Sequence, residues 1–500
     1  MGAAVPSPQV RPTPASTMSN TRLRAFVGAA LVACAPAAAA LPVPQADGPA
    51  LGDARVTQSD ITSGALSFDD VRAAGLRVFA TSFNRHDGFG DGPMDPVDPI
   101  SPGGRPTLQG NGTFLRVNGL DAQSCLECHA VGSNAEVPFR FAVGGVGASS
   151  SNVLFQPRDI DVDDESGAGM ASFDGRFINP PFLFGSGGIE LVGLEMTQDL
   201  LALRDVALAN PGQDVPLVTH GTDFGVLRFD PLTAELDYSG LEGVDEDLVV
   251  KPFGRNGAFA TARAFDVEAM LFHFGMEPVE HVGAGVDGDG DGVVDEITVG
   301  ELSALHVFST NLERPEVRDW DLGARAGLSD FIAIGCADCH TPRLETRAKN
   351  LVYRFPEVPT DPGANGFYRA DLSQTSAGFA PTAAGGLAVD CFSDLKRHDM
   401  GPRLAESFGG QLDSEFITAR LWGVADTAPY MHDGRATTLT DAILVHGGEA
   451  QAARDAFEAR VAALAGRVTT TGFDSRIESL FAGAEGVICM GGYNTFCEVL

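Results

Sequence analysis

The sequence predicts a mainly α-helical fold with long loops. Apolar residues recur at helical spacing over residues 69–83, where Val71, Ala74 and Val78 share one face. Further stretches of helical character are predicted at 190–210, 259–274 and 299–311, with a last helix from about Thr440. The 60 Gly and 30 Pro among 500 residues predict extensive loops between these helices.

Composition and net charge limit the classes of molecule that this protein can bind. The chain is 44% hydrophobic and 20% charged, which is typical of a folded globular protein. Its net charge of −33, from 34 basic and 67 acidic residues, excludes nucleic acid as a partner, because phosphates require a basic surface. The charge is that of a solvated acidic surface, and it would also attract a basic partner such as an electron-donor protein.

Residues 1–40 have the pattern of a secretory signal. Two arginines precede an apolar run over 25–33, and Ala38-x-Ala40 fits cleavage before Leu41. Cys34 ends a lipobox-like Leu-Val-Ala-Cys sequence, so a lipid-anchored form is the alternative. Residues 41–65 are predicted to be a linker, and no later apolar stretch reaches the length of a membrane span. We therefore expect export to the periplasm without a transmembrane helix.

Two short cysteine motifs carry the chemical information. Cys125-Leu-Glu-Cys128-His129 and Cys336-Ala-Asp-Cys339-His340 both have the C-x-x-C-H form of c-type haem attachment. In this motif two thiols add to the haem vinyl groups and the adjoining His binds the iron. A zinc site or two local disulfides would leave the fused histidines unexplained. The sequence predicts two covalently bound haem c groups with His129 and His340 as axial ligands.

The two motifs divide the chain into two parts of similar organisation. Phe173-Asp-Gly-Arg176 and His432-Asp-Gly-Arg435 each follow a haem motif by several dozen residues. Such an echo is expected from two cytochrome-like halves. We predict a first haem domain over 66–285 and a second over 301–460.

An acidic loop over 286–300 separates these two parts. Alternating carboxylates on a tight turn form the oxygen cage that Ca²⁺ prefers, with an unliganded acidic turn as the alternative. An EF-hand loop would place Glu at its twelfth position, where this chain has Thr298, and Glu296 or Glu301 could substitute. The predicted calcium ligands are Asp287, Asp289, Asp291 and Asp295.

From about Gly64 to Ala450 the chain resembles the bacterial di-haem oxidoreductases of the peroxidase type, which are related to the di-haem cytochrome c peroxidases and MauG. Beyond the haem motifs and the Asp-Gly repeat, several segments carry the resemblance. They are Ala74–Phe79, Asp87–Gly90, Phe182–Glu190, Phe253–Gly257, Phe392–Gly401, Arg420–Gly423, Pro429–Arg435 and His446–Glu449. The sequence departs from the family after about Phe457, so residues 461–500 are left as a tail of undefined structure.

The resemblance implies two all-α cytochrome c-like domains that hold unequal haems. One haem would be six-coordinate and store electrons, and the other would have an open position for peroxide. Met400 lies 60 residues after His340 within a family motif, and a thioether ligand raises the haem potential. We therefore predict Met400 as the sixth ligand of the second haem, with His398 as the alternative, and an open first haem.

The remaining site residues are predicted with less specific signals. Glu190 or Glu195 would supply the carboxylate that moves protons during O–O cleavage, although either could be an ordinary helix residue. Arg420 and Arg435 are candidates for pairing with haem propionates. His432 and His446 are candidates for a second shell around the haems, with ordinary packing as the alternative.

These observations predict a periplasmic di-haem c-type oxidoreductase that reduces hydrogen peroxide or another small oxidant. Electrons would come from a small donor protein or a respiratory-chain component. The alternatives are a non-catalytic di-haem electron-transfer protein and an oxidase of an unidentified substrate.

Overall fold

The structure is a computed structural model that describes nine segments of the chain. They are residues 48–52, 55–90, 107–108, 113–114, 123–129, 154–161, 172–315, 320–408 and 411–463. The predicted signal peptide with Cys34, most of the tail over 461–500, and the last two cysteines, Cys489 and Cys497, lie outside the described residues.

Helices occur in each stretch where the apolar periodicity predicts one, and further helices at 58–62, 279–282 and 322–333 were not predicted, the first of them within the predicted linker. Ser67 and Thr298 each precede a helix and form a capping box. The side chain of Ser67 or Thr298 accepts a hydrogen bond from the backbone N–H three residues later, at Asp70 or Glu301. The carboxylate of that acidic residue in turn accepts the backbone N–H of Ser67 or Thr298. A π-helical turn, Met270–Phe274, continues α4. The helices are α1 (Gln58–Thr62), α2 (Phe68–Ala80), α3 (Ser186–Ala209), α4 (Ala262–Ala269), α5 (Val279–Val282), α6 (Val299–Thr310), α7 (Leu322–Ala333), α8 (Leu439–Val445) and α9 (Gln451–Ala463).

Short antiparallel strands occupy much of the sequence between the helices. In the first part of the chain they are β1 (Thr107–Leu108), β2 (Thr113–Phe114), β3 (Leu154–Asp161), β4 (Ser172–Ile178), β5 (Asp214–Thr219), β6 (Thr222–Asp230) and β7 (Glu235–Asp237). In the second part they are β8 (Leu344–Glu345), β9 (Asn350–Arg354), β10 (Gly366–Asp371), β11 (Ala380–Pro381), β12 (Leu387–Val389), β13 (Arg397–Asp399), β14 (Glu406–Phe408), β15 (Gln411–Asp413) and β16 (Glu415–Ile417). The sheets are β5-β6-β7, β11-β12-β8, and the pairs β1-β2, β3-β4, β10-β9, β13-β16 and β14-β15.

The strand content overturns the predicted fold class. The protein is 35% helical and 16% strand, so it is mixed α/β, and the prediction of a mainly α fold of two cytochrome c-like domains is wrong. The β5–β6 hairpin shows the physical reason. Residues 214–219 alternate between exposed and buried, which is strand periodicity. His220 and Gly221 both adopt positive φ, as a two-residue hairpin turn requires.

Close contact between α2 and α6 forms the centre of one hydrophobic cluster. A Cβ atom on Gly75 would lie 2.0 Å from the carbonyl oxygen of Ala304, so only glycine permits this helix crossing. The rings of Phe79 and Phe308 pack beside it with centroids 5.3 Å apart. Cys125, Leu126 and Cys128 of the first haem motif pack against the same cluster. The α2–α6 pair therefore supports the first haem motif.

The described residues belong to one compact unit, Gln45–Leu500. Within the described ranges, no helix combines the length and apolar character that crossing a membrane requires. The boundaries of the two predicted haem domains stay predictions.

Candidate functional site

The first haem motif is a tight turn that orients its histidine. Residues 125–127 form a single 3₁₀ turn, and the backbone N–H of His129 donates to the Cys125 carbonyl at 2.8 Å. The His129 ring lies with Nδ1 3.0 Å from the Pro181 carbonyl oxygen, so Nδ1 carries the proton and donates it. Burial lowers the pKa of His129 to about 4, so the ring is neutral at pH 7 and its Nε2 keeps a lone pair for a metal.

The second haem motif repeats this arrangement. Residues 336–338 form a 3₁₀ turn, and the N–H of His340 donates to the Cys336 carbonyl at 2.9 Å. Nδ1 of His340 lies 3.1 Å from the Phe392 carbonyl oxygen. Burial again lowers the pKa of the histidine to about 4. Two motifs 211 residues apart thus adopt the same turn and the same histidine tautomer.

These features fit a c-type haem at each motif. A metal-binding histidine normally donates its other ring N–H to a carbonyl or carboxylate, which fixes the ring and raises its basicity. Both motif histidines place Nδ1 at a backbone carbonyl oxygen, so Nε2 would be the nitrogen that binds the iron. The four cysteines of the two motifs are not in disulfides, as thioether bonds to haem require. Cys125, Cys128 and His129 would hold one haem, and Cys336, Cys339 and His340 the other.

Both ring nitrogens of His398 contact carboxylate side chains. Its Nε2 lies 2.9 Å from Asp394 and its Nδ1 2.7 Å from Glu449, while Cys339 Sγ is 3.8 Å from Nδ1. Burial opposes the charged form, but the hydrogen bonds to Asp394, Cys339 and Glu449 outweigh it and raise the pKa of His398 to about 11. A protonated ring with both nitrogens donating offers no lone pair to iron.

Met400 and His446 both follow the second haem motif in the sequence. Met400 follows β13, is half-buried, and its N–H donates to the Ser414 carbonyl at 2.8 Å. The His446 ring lies with its centroid 6.4 Å from that of His340. Nδ1 of His446 is 2.6 Å from the Ala442 carbonyl oxygen, so its Nε2 is the nitrogen without a proton. His446 has the features of a metal-binding histidine beside the second motif.

Glu190 is buried in a polar network on α3. Only 1% of its surface and 1% of His306 are exposed. Both carboxylate oxygens of Glu190 lie 2.9 Å from His306 Nε2, and one accepts the N–H of Ala262 at 2.9 Å. Burial opposes charging of His306, but the Glu190 carboxylate outweighs it and raises the pKa of His306. This pair can hold a proton in a place that water does not reach.

Asp266 on α4 belongs to the same network, and the sequence analysis missed it. Its Oδ2 is buried without a hydrogen-bond partner. Burial raises the pKa of Asp266 to about 8, with His306 and Arg263 opposing the rise. The Asp266 charge also contributes, after burial, to raising the pKa of the Cys125 thiol, so Asp266 lies within electrostatic range of the first haem motif. An aspartate next to Phe265 and Val267 in the largely apolar stretch 259–274 was the sequence signal that could have identified it.

Glu195 has a structural role instead. One turn after Glu190 on α3, its carboxylate accepts the backbone N–H groups of Arg347, at 2.8 Å, and Ala348, at 2.9 Å. His220 Nε2 lies 3.4 Å away. Glu195 therefore anchors the 347–348 segment against α3 and has no oxygen directed at the network of Glu190.

Of the two predicted propionate partners, Arg420 has unused donors. Its guanidinium lies over the Phe182 ring at 5.0 Å, and Nη2 donates to the Phe182 carbonyl at 3.3 Å. Nη1 is buried and has no hydrogen-bond partner. Burial lowers the pKa of Arg420 to about 10. Because Pro181 is the carbonyl partner of His129, Arg420 lies close to the first motif with a donor to offer a carboxylate.

Arg435 and His432 are engaged with their neighbours. Arg435 Nε donates to Asp433 at 2.6 Å, and its side chain is exposed. The His432 ring stacks on Phe416 with centroids 4.3 Å apart. The backbone carbonyl of His432 accepts the N–H of Asn179, so this segment is tied to the chain just before Pro181.

The acidic loop brings together two overlapping trios of carboxylates. Asp287, Asp289 and Asp291 form one trio, in which Asp287 and Asp291 are exposed. Asp289 also lies with Glu277 and Glu296 in a second trio that is entirely buried. Burial, followed by repulsion from Asp289, Asp291 and Glu277, raises the pKa of Glu296 to about 9. The sequence analysis did not include Glu277, which lies ten residues before the loop.

The other two predicted oxygen donors of the loop lie outside both trios. Asp295 has an Oδ1 that accepts the N–H of Gly285 at 2.7 Å. Glu301 instead forms an ion pair with Arg55 at 2.7 Å and caps α6.

Comparison with known protein families gives a match in the second half of the chain. Residues 371–469 match the family described as "Di-haem oxidoreductase, putative peroxidase". Curated proteins give no match. The solved structure of hydrazine synthase from Kuenenia stuttgartiensis, pressurised with 20 bar xenon, aligns at 16% identity over 78% of this chain and 90% of that chain. Its TM-score of 0.28 is too low to carry an argument on fold or function.

The family match supports a redox enzyme with haem cofactors. It includes Met400, the predicted sixth ligand of the second haem, and Arg420, His432 and His446, which were predicted to lie around the haems. Over residues 371–469 it confirms the resemblance inferred from the sequence, that of a di-haem oxidoreductase of the peroxidase family.

Proposed function

We propose that this protein is exported to the periplasm, carries two covalently attached haem c groups and reduces hydrogen peroxide. Electrons come from a small donor protein or a respiratory-chain component. The observation that carries the proposal is the repeated geometry of the motifs, in which His129 and His340 both donate Nδ1–H to a backbone carbonyl. Covalent haem attachment takes place after export, which agrees with the signal-like sequence of residues 1–40.

The polar network of Glu190 supports the assignment of peroxide reduction to the first haem. The balanced reaction, H₂O₂ + 2e⁻ + 2H⁺ → 2H₂O, consumes two protons, and a haem at the first motif would supply the iron for electron transfer. Glu190 and His306 share a proton, and Asp266 holds another through its raised pKa. Because Asp266 is electrostatically coupled to Cys125, these groups can store protons beside the first motif. We propose Glu190 rather than Glu195 as the acid–base group.

The second haem is proposed to be six-coordinate and to store electrons. Met400 is the sixth ligand that the sequence predicts. His446 is a second candidate, because its ring is the one that approaches His340 and its Nδ1 is already bonded to a carbonyl. His398 is not proposed, since both of its ring nitrogens face carboxylates.

A purified, exported sample tests the proposal in two steps. The mass of the mature chain should exceed the polypeptide mass by two haems, and a Cys125→Ser, Cys128→Ser variant should lose one of them. The holo-protein should then oxidise a reduced donor when H₂O₂ is added. A sample without covalent haem overturns the proposal as a whole. Two low-spin haems that do not react with peroxide would instead identify an electron-transfer protein.

A further inference from the structure

Three carboxylates are buried together at the acidic loop, which supplies two of them. Glu277 is 4% exposed, Asp289 7% and Glu296 2%. Each offers an oxygen that lies within 4.8 Å of the oxygens of the other two. Among the described residues no lysine, arginine or histidine forms an ion pair with the carboxylate of Glu277 or Glu296, and Arg55 donates only to the Glu296 backbone carbonyl, at 2.9 Å. Buried like charges at this spacing require a counter-charge or a proton.

The backbone around the trio holds the oxygens in place without neutralising them. The N–H of Glu277 donates to Glu296 Oε2 at 2.6 Å, and the N–H of Gly288 donates to Glu277 Oε2 at 2.7 Å. Glu296 Oε1 is buried and has no hydrogen-bond partner at all. An unpartnered buried carboxylate oxygen within such a trio is the position where a cation ligand is expected.

Two glycines make room for these carboxylates. A Cβ atom on Gly288 would lie 2.5 Å from Glu277 Oε1. A Cβ atom on Gly88, which has φ of +91°, would lie 2.2 Å from the Glu296 carboxylate carbon. The chain therefore approaches the trio closely from two directions, from the acidic loop itself and from the segment after α2. The trio is enclosed rather than spread over a surface.

We propose that Glu277, Asp289 and Glu296 form a buried binding site for one divalent cation, with Ca²⁺ as the preferred ion. All three donors are carboxylates, the hard oxygen ligands that Ca²⁺ takes, and the absence of nitrogen or sulfur in the trio disfavours transition metals. The flexible Asp-Gly loop can complete the shell with backbone carbonyls and water, whereas Mg²⁺ demands a stricter octahedron. This site keeps Asp289 and the alternative ligand Glu296 from the sequence-based prediction, and it has Glu277 in place of Asp287, Asp291 and Asp295.

The bound ion would connect three segments of the chain. Glu277 follows the π-helical turn 270–274, Asp289 lies in the acidic loop, and Glu296 lies against Gly88. Gly90 in turn donates its N–H to the Phe274 carbonyl at 3.0 Å. Phe274 belongs to the hydrophobic cluster that contacts Cys125 and Cys128. Ca²⁺ at the trio would therefore stabilise the support of the first haem motif.

Metal content and calorimetry of the full-length holo-protein test this site separately from the redox function. After dialysis against a chelator and then buffer, titration with CaCl₂ should show one bound ion and raise the midpoint of thermal unfolding. Glu296→Gln should weaken Ca²⁺ binding at least about tenfold. The matched control Asp287→Asn removes one exposed charge of the loop outside the buried trio. It should change the Ca²⁺ affinity less than about threefold.

A second signature separates metal binding from a merely structural carboxylate. In chelator, Glu296→Gln relieves repulsion in the trio, so its unfolding midpoint should equal or exceed that of the wild type. In CaCl₂ the wild type should have the higher unfolding midpoint, because only it binds the ion tightly. Glu277→Gln should behave in the same way, which covers the case in which Glu296→Gln does not fold. A wild type that binds no Ca²⁺ at millimolar concentration overturns the proposal, and so does loss of binding in Asp287→Asn alone.

Discussion

At the scale of single residues, the protein separates carboxylates that bind backbone from carboxylates that bind protons. Glu190 and Glu195 lie one turn apart on α3, and both are almost fully buried. Glu195 satisfies two backbone N–H groups of the 347–348 segment, whereas Glu190 faces His306 with both oxygens. Because they are five residues apart, the two side chains point about 140° away from each other around the helix, so they meet different partners and have different roles.

Replacing each glutamate in turn should distinguish a residue that transfers protons from one that stabilises the fold. Glu190→Gln keeps the side-chain volume but removes the proton-accepting group, so peroxide turnover should fall about 10²-fold or more. Glu195→Gln should reduce unfolding free energy by about 1–3 kcal/mol through weaker N–H acceptance, and turnover by less than about threefold. Stopped-flow peroxide assays and urea unfolding measure the two effects. Equal losses of turnover in both variants would contradict the assignment.

The raised pKa of Asp266 predicts a pH dependence of stability. Its pKa is about 8 in the folded protein and close to 3.8 when unfolded, so between these values the folded state binds a proton that the unfolded state has released. Stability attributable to Asp266 therefore falls as pH rises from about 4 to about 8, by at most about 1.4 kcal/mol per pH unit. Glu190, His306, Arg263 and Glu357 are the charged groups around it.

Asp266→Asn should remove this part of the slope. Urea unfolding of the variant and the wild type between pH 5 and pH 8 should give curves that diverge with rising pH, the variant becoming relatively more stable. Parallel curves would show that Asp266 does not hold a proton in the folded state.

The sixth ligand of the second haem is a choice between two residues. If Met400 binds the iron, Met400→Ala should lower the potential of one haem and convert it to high spin, while His446→Ala leaves both properties unchanged. If His446 binds, His446→Ala should instead convert one haem to high spin, and Met400→Ala should leave both properties unchanged. Redox titration followed by optical and EPR spectroscopy distinguishes the two cases, with His398→Asn as a control that should alter neither spin state. A pair of silent variants would exclude both ligands.

At the scale of elements, sequence periodicity located helices and missed strands. The helix α6 could be predicted closely because a capping box at Thr298 precedes a sustained apolar pattern. The strands are mostly two to six residues long, too short for alternation to stand out among glycines and prolines. The C-x-x-C-H motifs were evident because their chemistry is local in sequence. Asp266 and Glu277 were missed because only tertiary packing brings them to their partners.

The α2–α6 crossing gives a prediction about packing. Gly75→Ala places a Cβ atom 2.0 Å from the Ala304 carbonyl oxygen, so the helices must separate and unfolding free energy should fall by about 1–3 kcal/mol. Gly327→Ala on exposed α7 meets nothing within 4 Å and should be neutral or stabilising by up to about 1 kcal/mol. Denaturant unfolding measures both. A tolerated Gly75→Ala would mean that the two helices are not in close contact.

At the scale of the whole molecule, charge is the dominant property. The chain has a net charge of −33, and residues 1–40 contain three arginines and no acidic residue. Cleavage of the predicted signal would therefore change the net charge to −33 − 3 = −36. A surface this acidic attracts cationic proteins over distances comparable to the Debye length and repels anionic ones.

The acidity predicts which electron donors react quickly. Reduction of the haems by a basic c-type cytochrome should slow by about tenfold or more when ionic strength rises from about 0.01 M to about 0.2 M, because screening removes the attraction. Reduction by an acidic donor should accelerate over the same range, which makes it the matched control. Stopped-flow measurement of the second-order rate constants tests both. If both donors respond to salt in the same direction, docking does not depend on the net charge, and the donor must recognise a local surface of opposite character.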